Sequence, residues 1–137
     1  MTHPLPVISV NALKRVYDAI PRIECKGLCS DFCCAVGMSD LEARRIERHT
    51  RKSPLKANAD MSCPVLADGR CTAYPVRPLI CRLWGVTKDM PCPHGCVPDR
   101  WLTKEESREL LLLVNAIGGG DVWPDYSAAW PETAARC

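Results

Sequence analysis

The sequence predicts a small, mainly α-helical domain with long irregular cysteine-rich loops organised by metal. Three observations carry that expectation. The chain has 137 residues, the usual size of one domain and enough for one modest apolar core. Two signatures of a helix start, Ser39 with Glu42 and Thr103 with Glu106, each open a stretch of helical apolar spacing. Ten cysteines are a density that marks either a disulfide scaffold or a metal site.

In chain order, residues 9–20 put Val10, Leu13, Val16, Tyr17 and Ile20 on one helical face, with Ser9 or Asn11 as cap and Pro21 as stop. Cys25 to Met38 reads as loop with one turn of helix at most, punctuated by Gly27 and Gly37. A second helix runs from Ser39 to about Lys52. Leu41 and Ile46 form its apolar side, and Arg44, Arg45, Arg48, Arg51 and Lys52 form a basic strip offset by Asp40, Glu42 and Glu47. That strip reads as a solvated face, with a docking surface for an acidic protein partner as the alternative.

Residues 53–100 hold seven prolines and five cysteines and no long periodic segment. A structureless stretch of that length runs against ordinary loop statistics. Metal–thiolate bonds are expected to hold it, with short extended pieces at 71–74 and 79–86. The last helix is expected from Thr103 to about Ile117, with Leu110, Leu111, Leu113, Val114 and Ile117 as its apolar face. Gly118, Gly119 and Gly120 stop it, Gly118 in a left-handed cap. Trp123, Tyr126 and Trp130 in the tail are expected to pack across the surface. No repeat or second domain is apparent, so the expectation is one domain over residues 1–137.

Net charge is +2 and charged residues make up 25% of the chain. That balance gives no electrostatic reason for a nucleic-acid or membrane partner. The first twenty residues lack an export pattern, since Lys14 and Arg15 interrupt the apolar positions, and no run of eighteen apolar residues occurs. A cytoplasmic, reducing compartment is therefore expected, where clustered thiols read as metal ligands rather than crosslinks.

The first group is Cys25, Cys29, Cys33 and Cys34, four thiols within ten residues. The neighbours Cys33 and Cys34 point in different directions in an extended or turn backbone, so only one of them is expected at a mononuclear site. Downstream come Cys63, Cys71 and Cys81, then the turn Cys92-Pro93-His94-Gly95-Cys96. His94 reads as a surface or supporting residue, with metal contact as the alternative. A tetrahedral zinc site and an iron–sulfur cluster both take four thiolates, so the residues leave zinc and iron open. Arg77 and Arg82 lie near proposed ligands and could offset thiolate charge or pair with carboxylates. Cys137, at the end of the chain given, reads as a thiol outside the site. No acid–base or nucleophilic constellation stands out, which leaves enzymatic activity undecided.

The spaced cysteines ending in Cys33-Cys34, followed by Cys63-Pro64-x-Leu66-x-x-Gly69-x-Cys71-x-x-Tyr74-x-x-Arg77-Pro78-x-x-Cys81-Arg82-x-Trp84, resemble the CxxCxxCC family of zinc- or iron-chelating proteins. The resemblance covers about residues 25–96. It implies Cys25, Cys29, Cys33, Cys34, Cys63, Cys71 and Cys81 as ligand candidates, with Cys92 and Cys96 as a more variable downstream pair. Three residues rather than two separate the first cysteines here. The expected function is a metal-binding protein that holds zinc or iron through clustered thiolates, in a structural or trafficking role. An iron–sulfur redox or radical-associated enzyme is one alternative. A thiol redox sensor acting through Cys33 or Cys137 is another.

Overall fold

The computed structural model describes residues 4–24, 37–56, 58–60 and 62–120, and within them the chain is mainly α-helical. Helix α1 spans Val7–Asp18, two residues ahead of the expected start. Pro6 is its cap, with φ already at −67°, and its carbonyl accepts from Val10 N at 2.9 Å. Proline's fixed φ suits a helix start, and this displaces Ser9 and Asn11 as caps. Tight bonds from Ala19 N to Val16 O and Ile20 N to Tyr17 O finish the helix ahead of Pro21.

Helix α2 spans Asp40–Thr50 and has the expected capping box: Ser39 Oγ accepts from Glu42 N, and the Glu42 carboxylate accepts from Ser39 N. It ends two residues before Lys52, where Arg51 turns left-handed at φ 58°. A two-stranded antiparallel hairpin follows, β1 Leu66–Ala67 and β2 Arg70–Cys71. Its turn residues Asp68 and Gly69 both have positive φ, 51° and 73°, the two-residue geometry whose twist matches paired strands.

After a 3-10 turn at Tyr74–Val76, residues 79–83 form helix α3 (Leu79–Leu83) instead of the extended piece expected there. Leu79, Ile80 and Leu83 are all buried, a spacing that serves one side of a helix as well as a buried strand. Long-range bonding decides it, because Leu79 N is held by Glu42 from α2 at 2.6 Å. Helix α4 spans Lys104–Gly118 with the second capping box, Thr103 with Glu106. Arg100 grips the same Glu106 carboxylate through both nitrogens at 3.2 and 2.9 Å.

Gly118 is still helical, and the positive φ falls at Gly119 and Gly120, 80° and 101°. Gly118 is required for another reason: a Cβ there would come within 2.8 Å of Ser39 Cβ and 3.2 Å of Leu41 Cβ. The end of α4 thus crosses the start of α2 at a distance only glycine permits, and Asp40 N donates to Gly119 O at 2.9 Å.

Helix α1 packs along α4, and α2 and α3 pack on α4 as well. The main core joins Leu13, Val16 and Tyr17 to Leu41, Leu79, Ile80, Leu83, Val86, Leu111 and Val114. A smaller cluster of Ile46, Val65 and Ala73 lies under the hairpin. Among the described residues, no helix is long and apolar enough to cross a membrane.

Glu42 ties these parts together at 2% exposure. One carboxylate oxygen accepts from Ser39 N and Ser39 Oγ, both at 3.0 Å. The other accepts from Tyr17 OH and Leu79 N, both at 2.6 Å. Burial, followed by the Glu42 charge, holds the Tyr17 hydroxyl far above its ordinary range, so it serves as a donor.

Glu42→Ala leaves four donors without their acceptor, and we expect it to lower unfolding free energy by about 3 kcal/mol or more, read by urea denaturation. At the other capping box, Arg100 and the Thr103 N–H push the Glu106 carboxyl down to about 2 from its ordinary 4.5. The stability that Glu106 contributes is therefore present above its unfolded value and lost as pH falls from 4.5 through about 2. Glu106→Gln should flatten that part of the stability–pH curve and leave the curve near neutrality parallel to the native one.

Candidate metal centre

The expected ligands divide into those the structure describes and those beyond it. Cys25, Cys29, Cys33 and Cys34 lie outside the described residues, as does Cys137. Cys63, Cys71, Cys81, Cys92 and Cys96 are described, and each thiol is half-buried. Among the described residues, no three metal-ligating side chains converge on one point.

Cys63 and Cys71 form the first described pair. The hairpin brings them together: Cys71 ends β2 opposite Leu66, and Leu66 N folds back to Cys63 O at 3.3 Å. Thr72 closes the base, with its N–H and its hydroxyl both donating to Val65 O. Both cysteines pack against the smaller cluster, which also takes in Met38. Burial pushes the Cys63 thiol up and the nearby Cys71 adds to it, while the N–H groups of Val65 and Leu66 and the Lys52 ammonium oppose them. Two amides aimed at one sulfur suit a thiolate ligand, because hydrogen bonds to the charged form favour it.

Cys92 and Cys96 form the second pair, on a turn closed by Gly95 N to Cys92 O at 3.2 Å. Gly95 has φ 82°, which explains a glycine at that position. Here too an amide points at sulfur: His94 N donates to Cys92 Sγ at 3.4 Å. The His94 residue is half-buried on this turn. A Cβ on Gly85 would meet Ile23 Cδ1 at 3.0 Å and Cys92 Cβ at 3.9 Å, so Cys92 lies beside the chain that leaves α1. The same chain pairs Ile23 with Pro98 and accepts Asp99 N on Arg22 O at 2.8 Å.

Cys81 stands between the pairs, on α3 at the margin of the main core. The residues around it explain the motif Tyr74-x-x-Arg77-Pro78-x-x-Cys81-Arg82. Arg77 stacks on the Tyr74 ring at 3.9 Å and donates through Nε to Tyr74 O at 3.0 Å. Pro78 caps α3. Arg82 turns back on the segment before it, donating to Arg77 O at 2.8 Å and Pro75 O at 3.2 Å. Its guanidinium also lies over the Tyr17 ring at 3.9 Å. Both arginines are therefore engaged by rings and carbonyls, a use that neither sequence reading of them anticipated.

The surroundings are rich in cations. Arg45 also faces the Tyr17 ring, at 6.0 Å, and its Nη1 is buried without a hydrogen-bond partner among the described residues. Burial first, and then Arg77 among its neighbours, lowers the Arg82 pKa. Glu42 already accepts four hydrogen bonds, leaving little acceptor capacity for these guanidiniums. Amides directed at two of the described sulfurs suit thiolate chemistry.

Sequence reading missed Tyr17, Glu42 and Arg45 as residues that organise this region. Tyr17 reads as one more apolar position of α1, Glu42 as a local capping residue, and Arg45 as part of a solvated strip.

No curated protein and no solved structure matches the chain. A family model described as "Putative zinc- or iron-chelating domain" matches residues 24–106, more than half of the chain. The match takes in all five described cysteines and the four that precede them, and it begins after α1. The chain belongs to the CxxCxxCC family.

Proposed function

We propose that this chain holds zinc or iron through clustered cysteine thiolates, with the bound metal serving a structural or trafficking role. The ligand set is drawn from Cys25, Cys29, Cys33, Cys34, Cys63, Cys71, Cys81, Cys92 and Cys96. The observation that carries this reading is that Ile23 and Met38, which flank Cys25–Cys34 in the sequence, each sit by a described thiol pair. Before that segment, Ile23 pairs with Pro98 beside the Cys92–Cys96 turn. After it, Met38 packs in the same cluster as Cys63 and Cys71. In the sequence, the stretch carrying four thiols lies between these two contacts.

Bound metal would tie the single domain together across residues 53–100, where regular structure is scarce. It would act as a Lewis acid that keeps the thiols deprotonated. The chain's own residues aim amides at Cys63 and Cys92, supply positive charge from Arg45 and Arg82, and exclude water from half of each thiol. An iron–sulfur cluster in a redox or radical-associated enzyme is the second reading, favoured by the surplus of cysteines and by Arg77 and Arg82 on either side of Cys81 in the chain. Four thiolates around a cluster leave it anionic.

Metal and acid-labile sulfide content, measured with a visible spectrum on anaerobically purified protein, separates these readings. About one or two equivalents of zinc or iron without sulfide support the first. Iron with near-equal sulfide transfers the site to the second. Protein that carries no metal, and gains none on titration with zinc or ferrous iron after reduction, overturns both. Chelation of metal-bearing protein should also lower Tm, since metal-binding energy is folding energy in such sites.

A further inference from the structure

Helix α1 lies ahead of the residues that the family model matches, yet one of its side chains reaches the cysteine-bearing part of the molecule. We propose that Tyr17 is a positioning residue for Cys81, acting through Arg82. The value of that position to metal rests on the thiolate reading above; the positioning itself does not.

Helix α3 is five residues long, too short to persist by its own hydrogen bonds. Its direction, and hence the direction of Cys81 Sγ, depends on what grips it from outside. At its first residue, Leu79 N donates to Glu42 Oε2 at 2.6 Å, and Tyr17 OH donates to the same oxygen at 2.6 Å. At its fourth residue, Arg82 is laid over the Tyr17 ring at 3.9 Å. The guanidinium held there donates to Arg77 O and Pro75 O, both in the segment linking Cys71 to Cys81.

Tyr17 therefore engages α3 on both sides of Cys81, by its hydroxyl through Glu42 and by its ring through Arg82. The ring does the work specific to Cys81, because the Ser39 amide and hydroxyl still hold Glu42 when the phenol oxygen is removed. Arg82 suits its role better than lysine would, since a planar fork can stack and bond two carbonyls at once. Cys63 provides an internal comparison. It sits in the other cluster, with Ile46, Val65 and Ala73, which does not include Tyr17.

The test uses the full chain carrying Tyr17→Phe, Tyr17→Leu or Arg82→Lys. In reduced, metal-free protein, iodoacetamide alkylation rates of Cys81 and Cys63 are read by peptide mass spectrometry and expressed as a ratio. Zinc affinity is measured separately by competition with a chromophoric chelator. Tyr17→Phe, which keeps the ring, should leave the ratio within about twofold of native. Tyr17→Leu and Arg82→Lys should raise it about fivefold or more and weaken zinc about tenfold, the usual effect of losing a residue that orients a ligand.

An unchanged ratio in both Tyr17→Leu and Arg82→Lys overturns the positioning role. So does an equal rise at both cysteines, which is general loosening. If Tyr17→Leu does not fold, Arg82→Lys decides alone. If native protein takes up no zinc, the chelating reading falls and the alkylation ratio still decides the role of Tyr17.

Discussion

One carboxylate, buried between three helices, holds the described part of this protein in register. Glu42 caps its own helix at Ser39, receives the Tyr17 hydroxyl from α1, and receives the first amide of α3. A buried acidic group is costly unless its acceptor sites are filled. Here four donors fill them, from three separate stretches of chain. Apolar burial supplies the bulk of the attraction between α1, α3 and α4, but it is indifferent to small rotations. The carboxylate is not, since each donor must point at one of two oxygens. Helix α3, which carries Cys81, has too few residues to orient itself and takes one of its outside anchors from that carboxylate.

The five described thiols are distributed according to the same architecture. Two sit at the base of a hairpin over the smaller cluster, two on a turn next to the chain leaving α1, and one on α3 between them. Two of these supports are shaped by their own turn residues and the third is held from outside. The hairpin has a turn whose two central residues both accept positive φ, the Cys92–Cys96 turn has Gly95, and α3 has its outside anchors. The amides near Cys63 and Cys92 are directed at sulfur. Membership of a family described by zinc or iron chelation accords with that chemistry.

How much of this was legible in the sequence depended on whether the deciding bonds were local. Both capping boxes are complete within four residues, so α2 and α4 were found with little error. The start of α1 was missed by two residues because Pro6 does the work of a side-chain cap. Helix α3 was misread as extended, since Leu79, Ile80 and Leu83 suit either structure and the bond that settles the matter comes from Glu42, 37 residues away. Gly118 was assigned to the wrong task for a similar reason: the contact that demands glycine is with Ser39, across the fold. At the site, cysteine spacing gave the candidates, while the pairing of Cys63 with Cys71 needed the hairpin. The roles of Arg77 and Arg82 required knowing which rings and carbonyls they meet. Nothing in local pattern distinguishes Tyr17 from any other apolar helical position.

The bracketing of residues 25–36 has a consequence for how a metal ion would be gathered. Ile23 and Met38, which flank this stretch, each pack on parts of the molecule that bear thiols. Any chain of so few residues anchored at both ends has a bounded reach, since each residue spans at most about 3.6 Å. If an ion sat on a described pair, recruitment of further ligands from the same chain would be intramolecular, with an effective concentration on the order of millimolar for short linkers. Capture then no longer depends on how dilute the protein is. An ion that slips from one sulfur has several others within reach, so its escape from the protein requires several bonds to be open at the same moment. Residence time is thereby set by the number of sulfurs on the tether as much as by the strength of any one bond.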